Sequence, residues 1–324
     1  MKTITFALSL LCSCVSAAYA GDQTAQELFL SAKKQANLFA GQSSPFQLDV
    51  DFVTQLNVPR KGHLTLKWEK TDRWWRNIRM ESFEQTEVRN GEMLYTVRNF
   101  DFTPPRIAEL ISMLQFPDSK SPVSVKQRKE RSERDSQMIC FQVQQPDQRE
   151  KHELCLEGVT HDIMTDEWKQ LADEKREERY SAYKDFAGHR YPRKLELLVN
   201  GIKMTTADVT KLELIDFNES LLTPPKGAIE RRQCAGLKHA TPVKTPDPAY
   251  PRSASENRMS GDSTVAMTVL QDGSVTDIHL VGSASRSMDE ATLQTLKTWR
   301  FKAAMCGSDP VISDIEVIVS FRLQ

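Results

Sequence analysis

Four cysteines follow residue 20, at positions 140, 155, 234 and 306, and no two of them stand as C-x-x-C. Structural zinc and thioredoxin-type redox chemistry both need that close spacing, so these thiols are suited to oxidising in pairs. Four cysteines allow three connectivities. In "MICFQVQ", Ile139, Phe141 and Val143 share a face, and in "HELCLEG" Leu154 and Leu156 do, which turns Cys140 and Cys155 to the opposite face. A hairpin centred on Pro146 to Arg149 sets these two cysteines directly across from each other, a natural geometry for a cross-strand disulfide. Cys234 and Cys306 then pair by elimination and staple the stretch around Cys234 to the end of the chain. The six histidines (His63, His152, His161, His189, His239, His279) are scattered, with no H-E-x-x-H and no pair at helical ligand spacing. There is no G-x-S-x-G elbow and no glycine-rich phosphate loop. Ser283 and Ser285 in "VGSASRS" sit at a strand-to-helix junction, where capping hydroxyls belong. The expectation is a protein without catalytic residues, metal or cofactor, and not an enzyme.

These residues sit in a chain that opens "MKTITFALSLLCSCVSAAYA": a basic start at Lys2, an apolar run from Ile4 to Leu11, and Ala18-Tyr19-Ala20. That pattern reads as a secretory signal cleaved after Ala20, which places the mature chain in the periplasm. The rival reading is a lipoprotein signal, with anchoring at Cys14 and Leu11 and Ser13 at suitable offsets. No later run reaches the length of an apolar membrane span, so the mature chain is expected to be soluble. Lys plus Arg number 43 and Asp plus Glu 44, a net charge of −1, so no basic excess points to nucleic acid or anionic lipid.

The periodicity predicts elements in two groups. "TAQELFLSAKKQANLF" is helical, with Thr24 and Glu27 as a capping box. "PFQLDVDF" alternates perfectly, "HLTLKW" and "WWRNIRM" continue the pattern, and Asn90-Gly91 marks a hairpin, so residues 45–99 form a meander. "TPPRIAELISMLQF" is a helix capped by Thr103, with Pro104 at its first position. "KQRKERSERD" is a solvated strand or loop. Strands resume at Cys140 and Cys155 and again over "YPRKLELLVNGIKMTTADVTKLEL". A proline-rich stretch from Pro224 to Pro251 then reads as extended and uncooperative with either core. After it come a short helix, a hairpin on Asp272-Gly273, a helix burying Leu293, Leu296 and Trp299, and a last strand "ISDIEVIVSFRLQ".

The C-terminal piece, residues 247–324, resembles the C-terminal domain of the TonB family. The marks are Tyr250-Pro251, Asp272-Gly273-x-Val275, Asp289 with Ala291 opening the helix, Trp299-x-Phe301, and Val319-x-Phe321. The resemblance implies that the Trp-x-Phe corner packs the helix on the sheet and launches the last strand. It also implies that the free edge of that strand, Ile315, Glu316, Val317, Ile318, Val319 and Phe321, docks a partner by strand addition. An outer-membrane TonB-dependent receptor is the partner so implied. Three departures stand out: a cleavable signal in place of a membrane anchor, Ala303 in place of a proline, and Asp247 in place of a glutamine. They point to binding rather than to energised transport.

Residues 21–222 resemble LolA/LolB-like half-barrels that shelter lipid or lipoprotein acyl chains, through a long meander, a mid-sequence helix and "YSAYKDFAGHRYPRKLELLVNG". The resemblance implies an apolar concavity, which Phe46, Phe52, Trp68 and Trp74 would line; ordinary core filling is the competing role for the same aromatics. The expected fold is α+β: an antiparallel meander or half-barrel with covering helices over 21–222, a linker over 223–246, and a small hairpin-helix-strand domain over 247–324. Two functions follow. One is a periplasmic TonB-like protein that binds an envelope partner by strand addition, in connection with transport. The other is a carrier or sensor of a lipid or lipoprotein through the half-barrel.

Overall fold

The computed structural model describes residues 24–39, 44–55, 58–115, 124–133, 136–144, 151–169 and 174–323. The export signal with its cleavage point at Ala20, Cys14, and the turn at Pro146 to Arg149 lie outside the described residues. Thr24 caps α1 (Ala25–Ala36) in a full capping box: its hydroxyl accepts from the Glu27 N–H, and its own N–H donates to the Glu27 carboxylate at 2.9 Å. Five strands follow as a meander, β1 (Phe46–Gln55), β2 (Pro59–Lys70), β3 (Arg73–Met80), β4 (Phe83–Asn90) and β5 (Met93–Arg98), then α2 (Pro105–Gln115). A second run comprises β6 (Ser124–Glu133), β7 (Ser136–Gln144), β8 (His152–Glu157), β9 (Ile163–Lys169) and β10 (Lys175–Ser181). It continues through a small hairpin of β11 (Lys184–Phe186) and β12 (His189–Tyr191), then β13 (Lys194–Val199) and β14 (Ile202–Leu214).

These strands form one antiparallel sheet in the order β5-β4-β3-β2-β1-β14-β13-β10-β9-β8-β7-β6, with a thirteenth strand, β15 (Ile229–Arg232), added outside β5. Alternation selects the inner face. Phe46, Leu48, Val50 and Phe52 of β1 are buried, and α1 and α2 lay Leu28, Phe29, Ala32, Ile107, Leu110 and Met113 into the same cluster. Phe46, Phe52, Trp68 and Trp74 are 1, 2, 3 and 9 % exposed. Phe39 meets the Trp68 ring edge-on at 5.0 Å, so this aromatic group is packed as core. Tyr191 donates to the Leu114 carbonyl at 2.7 Å and ties the end of α2 to β12.

Thr103 does not cap α2. Its hydroxyl donates to the buried Gln85 side chain at 2.7 Å, and the helix begins one residue later than expected, at Pro105. The same inner face carries an ion pair: Arg76, across from Glu87, donates to one Glu87 oxygen at 2.8 and 2.5 Å and lies over the Trp74 ring at 5.0 Å.

The remaining elements are β16 (Thr241–Lys244), α3 (Arg252–Glu256), β17 (Gly261–Val269), β18 (Val275–Gly282), α4 (Arg286–Leu296), β19 (Arg300–Lys302), β20 (Ala304–Cys306), β21 (Asp309–Val311) and β22 (Ser313–Phe321). They surround a second apolar cluster that includes Val265, Met267, Val269, Met288, Leu296, Phe301, Val319 and Phe321.

The proline-rich stretch corrects an expectation. Rather than standing apart from both cores, it pairs with both: β15 with β5, β16 with β19, and Lys238 with Met305. Backbone groups make these contacts, so the shortage of apolar side chains is no obstacle, and Pro242 is tolerated because β16 is an edge strand. A second correction concerns the chain after Trp299-Arg300-Phe301. It does not run straight into the last strand but first forms the β20–β21 hairpin, which carries Cys306.

Candidate functional site

The C-terminal sheet has the order β18-β17-β22, so among the described residues β22 is hydrogen-bonded on one side only, to β17. Ile315, Val317, Val319 and Phe321 pack toward the helices, while Glu316 and Ile318 are exposed on the other face. This is an open strand edge nine residues long.

The corner that supports it is built from the residues singled out in the sequence. Gly273 has φ +81°, and the Phe301 N–H donates to its carbonyl at 2.9 Å, so the Asp272-Gly273 turn is latched to the start of β19. Asp272 closes the turn by accepting from the Ser274 N–H at 2.8 Å. Trp299 lies past the end of α4 and donates from its indole Nε1 to the Pro246 carbonyl at 3.0 Å. Tyr250, held by Pro251 at the entry of α3, donates to the Met259 carbonyl and meets Phe321 edge-on at 5.5 Å. Ser285 caps α4, as its position suggested. Asp289, a mark of the helix start in the sequence, is buried and accepts from Ser263 at 2.6 Å, from Ser283, and from the Ala284 N–H at 3.0 Å, which ties the first turn of α4 to β17.

Both disulfides join the expected partners. Cys140 faces Cys155 in register on the outer face of β7 and β8, and Cys234 bonds Cys306 across 72 residues. The second bond is one of several ties between the sheets: Arg231 reaches Asp314 at 2.9 Å and Arg232 reaches Asp309 at 3.0 Å, while Arg89 donates to the Gln233 side chain at 3.2 Å and to its carbonyl, which fixes the chain beside Cys234 to the large sheet. Sequence alternation gave no sign of these arginines, because each works across a long separation.

Between the two sheets lies a cleft of about 690 Å³. The inner faces of β4, β5 and β15 form one wall with Glu87, Leu94, Thr96 and Ile229; the helix-free face of the C-terminal sheet forms the other with Ala266, Thr268, His279 and Glu316. Phe102 stands at its rim with its ring 6.2 Å from that of His279.

A separate ionisable group lies within the large sheet. Asp166 and Glu178 are cross-strand neighbours, His152 Nδ1 is 2.8 Å from Asp166, and Tyr180 donates to Glu178. Burial first, and the Asp166 carboxylate second, push the Glu178 carboxyl up from 4.5 to about 7. Below pH 4.5 both the folded and unfolded chains keep this proton. Above it the unfolded chain releases the proton first, so stability falls as pH rises toward 7 and then levels. Glu178→Gln cannot ionise. It is expected to match the parent at pH 4 and to exceed it at pH 8 by about 2 kcal/mol, less than the full shift because the side chain keeps some solvent contact. Melts of both proteins across that range check this; parallel curves would exclude it.

Residues 246–323 match the family model described as Gram-negative bacterial TonB protein C-terminal. Protein TonB of Pseudomonas aeruginosa is 29% identical over 84 residues, covering 26% of this chain and 25% of that protein. The chain thus spans about a quarter of the length of this curated relative. The solution structure of the Pseudomonas aeruginosa TonB C-terminal domain is similar at 25% identity, covering 28% of this chain and 97% of that one, with a TM-score of 0.25. A LolA superfamily protein of Nitrosomonas europaea is similar at 12% identity, covering 62% of this chain and 98% of that one, with a TM-score of 0.44.

Proposed function

We propose that this chain is a periplasmic TonB-like binding protein, not an enzyme, that holds a protein partner of the cell envelope by adding one of the partner's strands to β22. The observation that carries the reading is the nine-residue strand β22, bonded among the described residues to β17 alone, with apolar residues alternating along it. An unpaired row of backbone N–H and C=O groups is a template for an incoming strand, and pockets beside alternate side chains supply selectivity. The match of residues 246–323 to the TonB C-terminal family supports placing the contact on this edge, and a TonB-dependent outer-membrane receptor is the partner class it suggests. The ties through Arg89, Arg231, Arg232 and Cys234–Cys306 hold that edge beside the large sheet, so the partner would meet both.

The test is hydrogen exchange on the full chain with and without detergent-solubilised envelope proteins, combined with a photoreactive side chain at Ile318. Strand addition predicts slower exchange across 313–321 and a crosslink from Ile318, and weaker effects in a Val317→Pro chain. Unchanged exchange over 313–321 in a sample where a partner is bound would refute it.

A further inference from the structure

Charges on the helix-free face of the C-terminal sheet are not balanced. Thr268 sits opposite Asp314, and Ala266 lies between His279 and Glu316. These side chains project away from α4, because the intervening Val265, Met267 and Val269 are core. Asp314 is satisfied, accepting from Arg231 at 2.9 and 3.1 Å and from Thr268 at 2.8 Å. Arg322, just past the strand, is paired with Asp262. Glu316 alone among the charged residues of β22 has no ion pair or hydrogen bond among the described residues.

Cationic side chains stand around it, but none pairs with it among the described residues. Glu316 borders the inter-sheet cleft, which Arg98, Arg231 and His279 also line, and Glu109 of α2 and Arg176 of β10 act on its charge. Arg176 is already engaged, donating to Glu109 at 2.7 Å and to Glu174 at 2.8 Å, and Arg106 also donates to Glu109 at 2.7 Å. Partial burial against the cleft wall, and after it the negative charge of Glu109, hold the Glu316 carboxyl above its ordinary range, with Arg176 acting the other way. The net direction is upward, so Arg176, shared with Glu109 and Glu174, does not fully offset the two.

The geometry of strand pairing turns this into a statement about the partner. A strand laid on the free edge of β22 has alternate side chains beside Ile315, Val317, Val319 and Phe321, and the others beside Asp314, Glu316, Ile318 and Ser320. We infer, on the premise of the strand addition proposed above, that the partner segment alternates apolar residues with at least one lysine or arginine set beside Glu316. The apolar residues extend the C-terminal core, and the cation enters the cleft between Glu316 and Glu109.

Three nine-residue peptides, alternating valine with lysine, serine or glutamate, separate the possibilities when titrated into the full chain and into its Glu316→Gln variant. The lysine peptide is expected to bind the parent about fivefold more tightly than the serine peptide, near the upper end for one cross-strand charge pair, with the glutamate peptide weakest. The differences should shrink in Glu316→Gln, with slowed exchange over 313–321 in each complex. Equal affinities for the three peptides, or a lysine preference that survives Glu316→Gln, would overturn the charge inference while leaving strand addition in place. If no peptide binds or protects β22, both fall. Dimerisation of the chain that protects β22 without peptide would assign the edge to a second copy and overturn the inference too.

Discussion

A Gly273→Ala chain is expected to lose about 3 kcal/mol or more of C-terminal stability, enough to unfold that core under mild denaturant. Two costs add. At φ +81° an L side chain is strained by about 1 kcal/mol. The new Cβ would also stand 1.9 Å from the Phe301 carbonyl oxygen and 3.1 Å from its carbon. Both are backbone atoms, and Phe301 cannot retreat without giving up its N–H bond to the Gly273 carbonyl. Gly91 provides the control. It also has a positive φ, +62°, but nothing lies within 4 Å of its added Cβ, so Gly91→Ala should cost only about 1 kcal/mol. Denaturant melts of the full chain, followed by exchange of the 262–269 amides, compare the two. Equal losses would mean that the latch between turn and corner is not what holds β19.

Arg76→Met is expected to cost about 3–5 kcal/mol in the large sheet, because it leaves the Glu87 carboxylate buried without its cation. Arg76 and Glu87 are 7 and 8 % exposed, and both Arg76 bonds fall on one Glu87 oxygen. Methionine keeps an unbranched apolar stem of similar length but gives up the guanidinium's contact with the Trp74 ring, so the loss reports the charge more than a cavity. The double variant Arg76→Met/Glu87→Leu should recover most of it, since a well-packed apolar pair replaces a buried ion pair at little cost. A single variant costing under about 1 kcal/mol would show that Glu87 hydrates freely through the cleft it borders.

Where side chains face alternately in and out, the fold was legible. "PFQLDVDF" reads directly as β1, and the facing of Ile139, Phe141, Leu154 and Leu156 sets Cys140 across from Cys155. β9 was not legible: its inward positions include Asp166, which is there for His152, so the strand shows no apolar period. β15 and β16 escaped for a different reason. Their pairing is made by backbone groups, which every residue carries, and each strand is only four residues long. Thr103 misled because its hydroxyl had two uses, and the buried Gln85 took it before the helix could. The C-terminal edge strand was readable from the alternation of Ile315, Val317 and Val319. The uncompensated state of Glu316 was not, since it depends on where Arg231, Arg176 and Glu109 spend their charges.

The pairing of β1 with β14 sets the order in which the molecule can assemble. Phe52 pairs with Ala207, and the buried hydroxyls of Thr54 and Thr205 meet at 3.1 Å across 151 residues. Every other neighbouring pair from β5 to β1 and from β14 to β6 joins strands closer in sequence, so each half of the sheet can form from local contacts. The seam between the halves is the costly step, because a long loop must close before any of its contacts repay the lost entropy. A chain emerging from the ribosome therefore holds an open β1 until residue 214 is out. Until then its central strand is held on one side only, which keeps the chain loose until about two-thirds of it has been made.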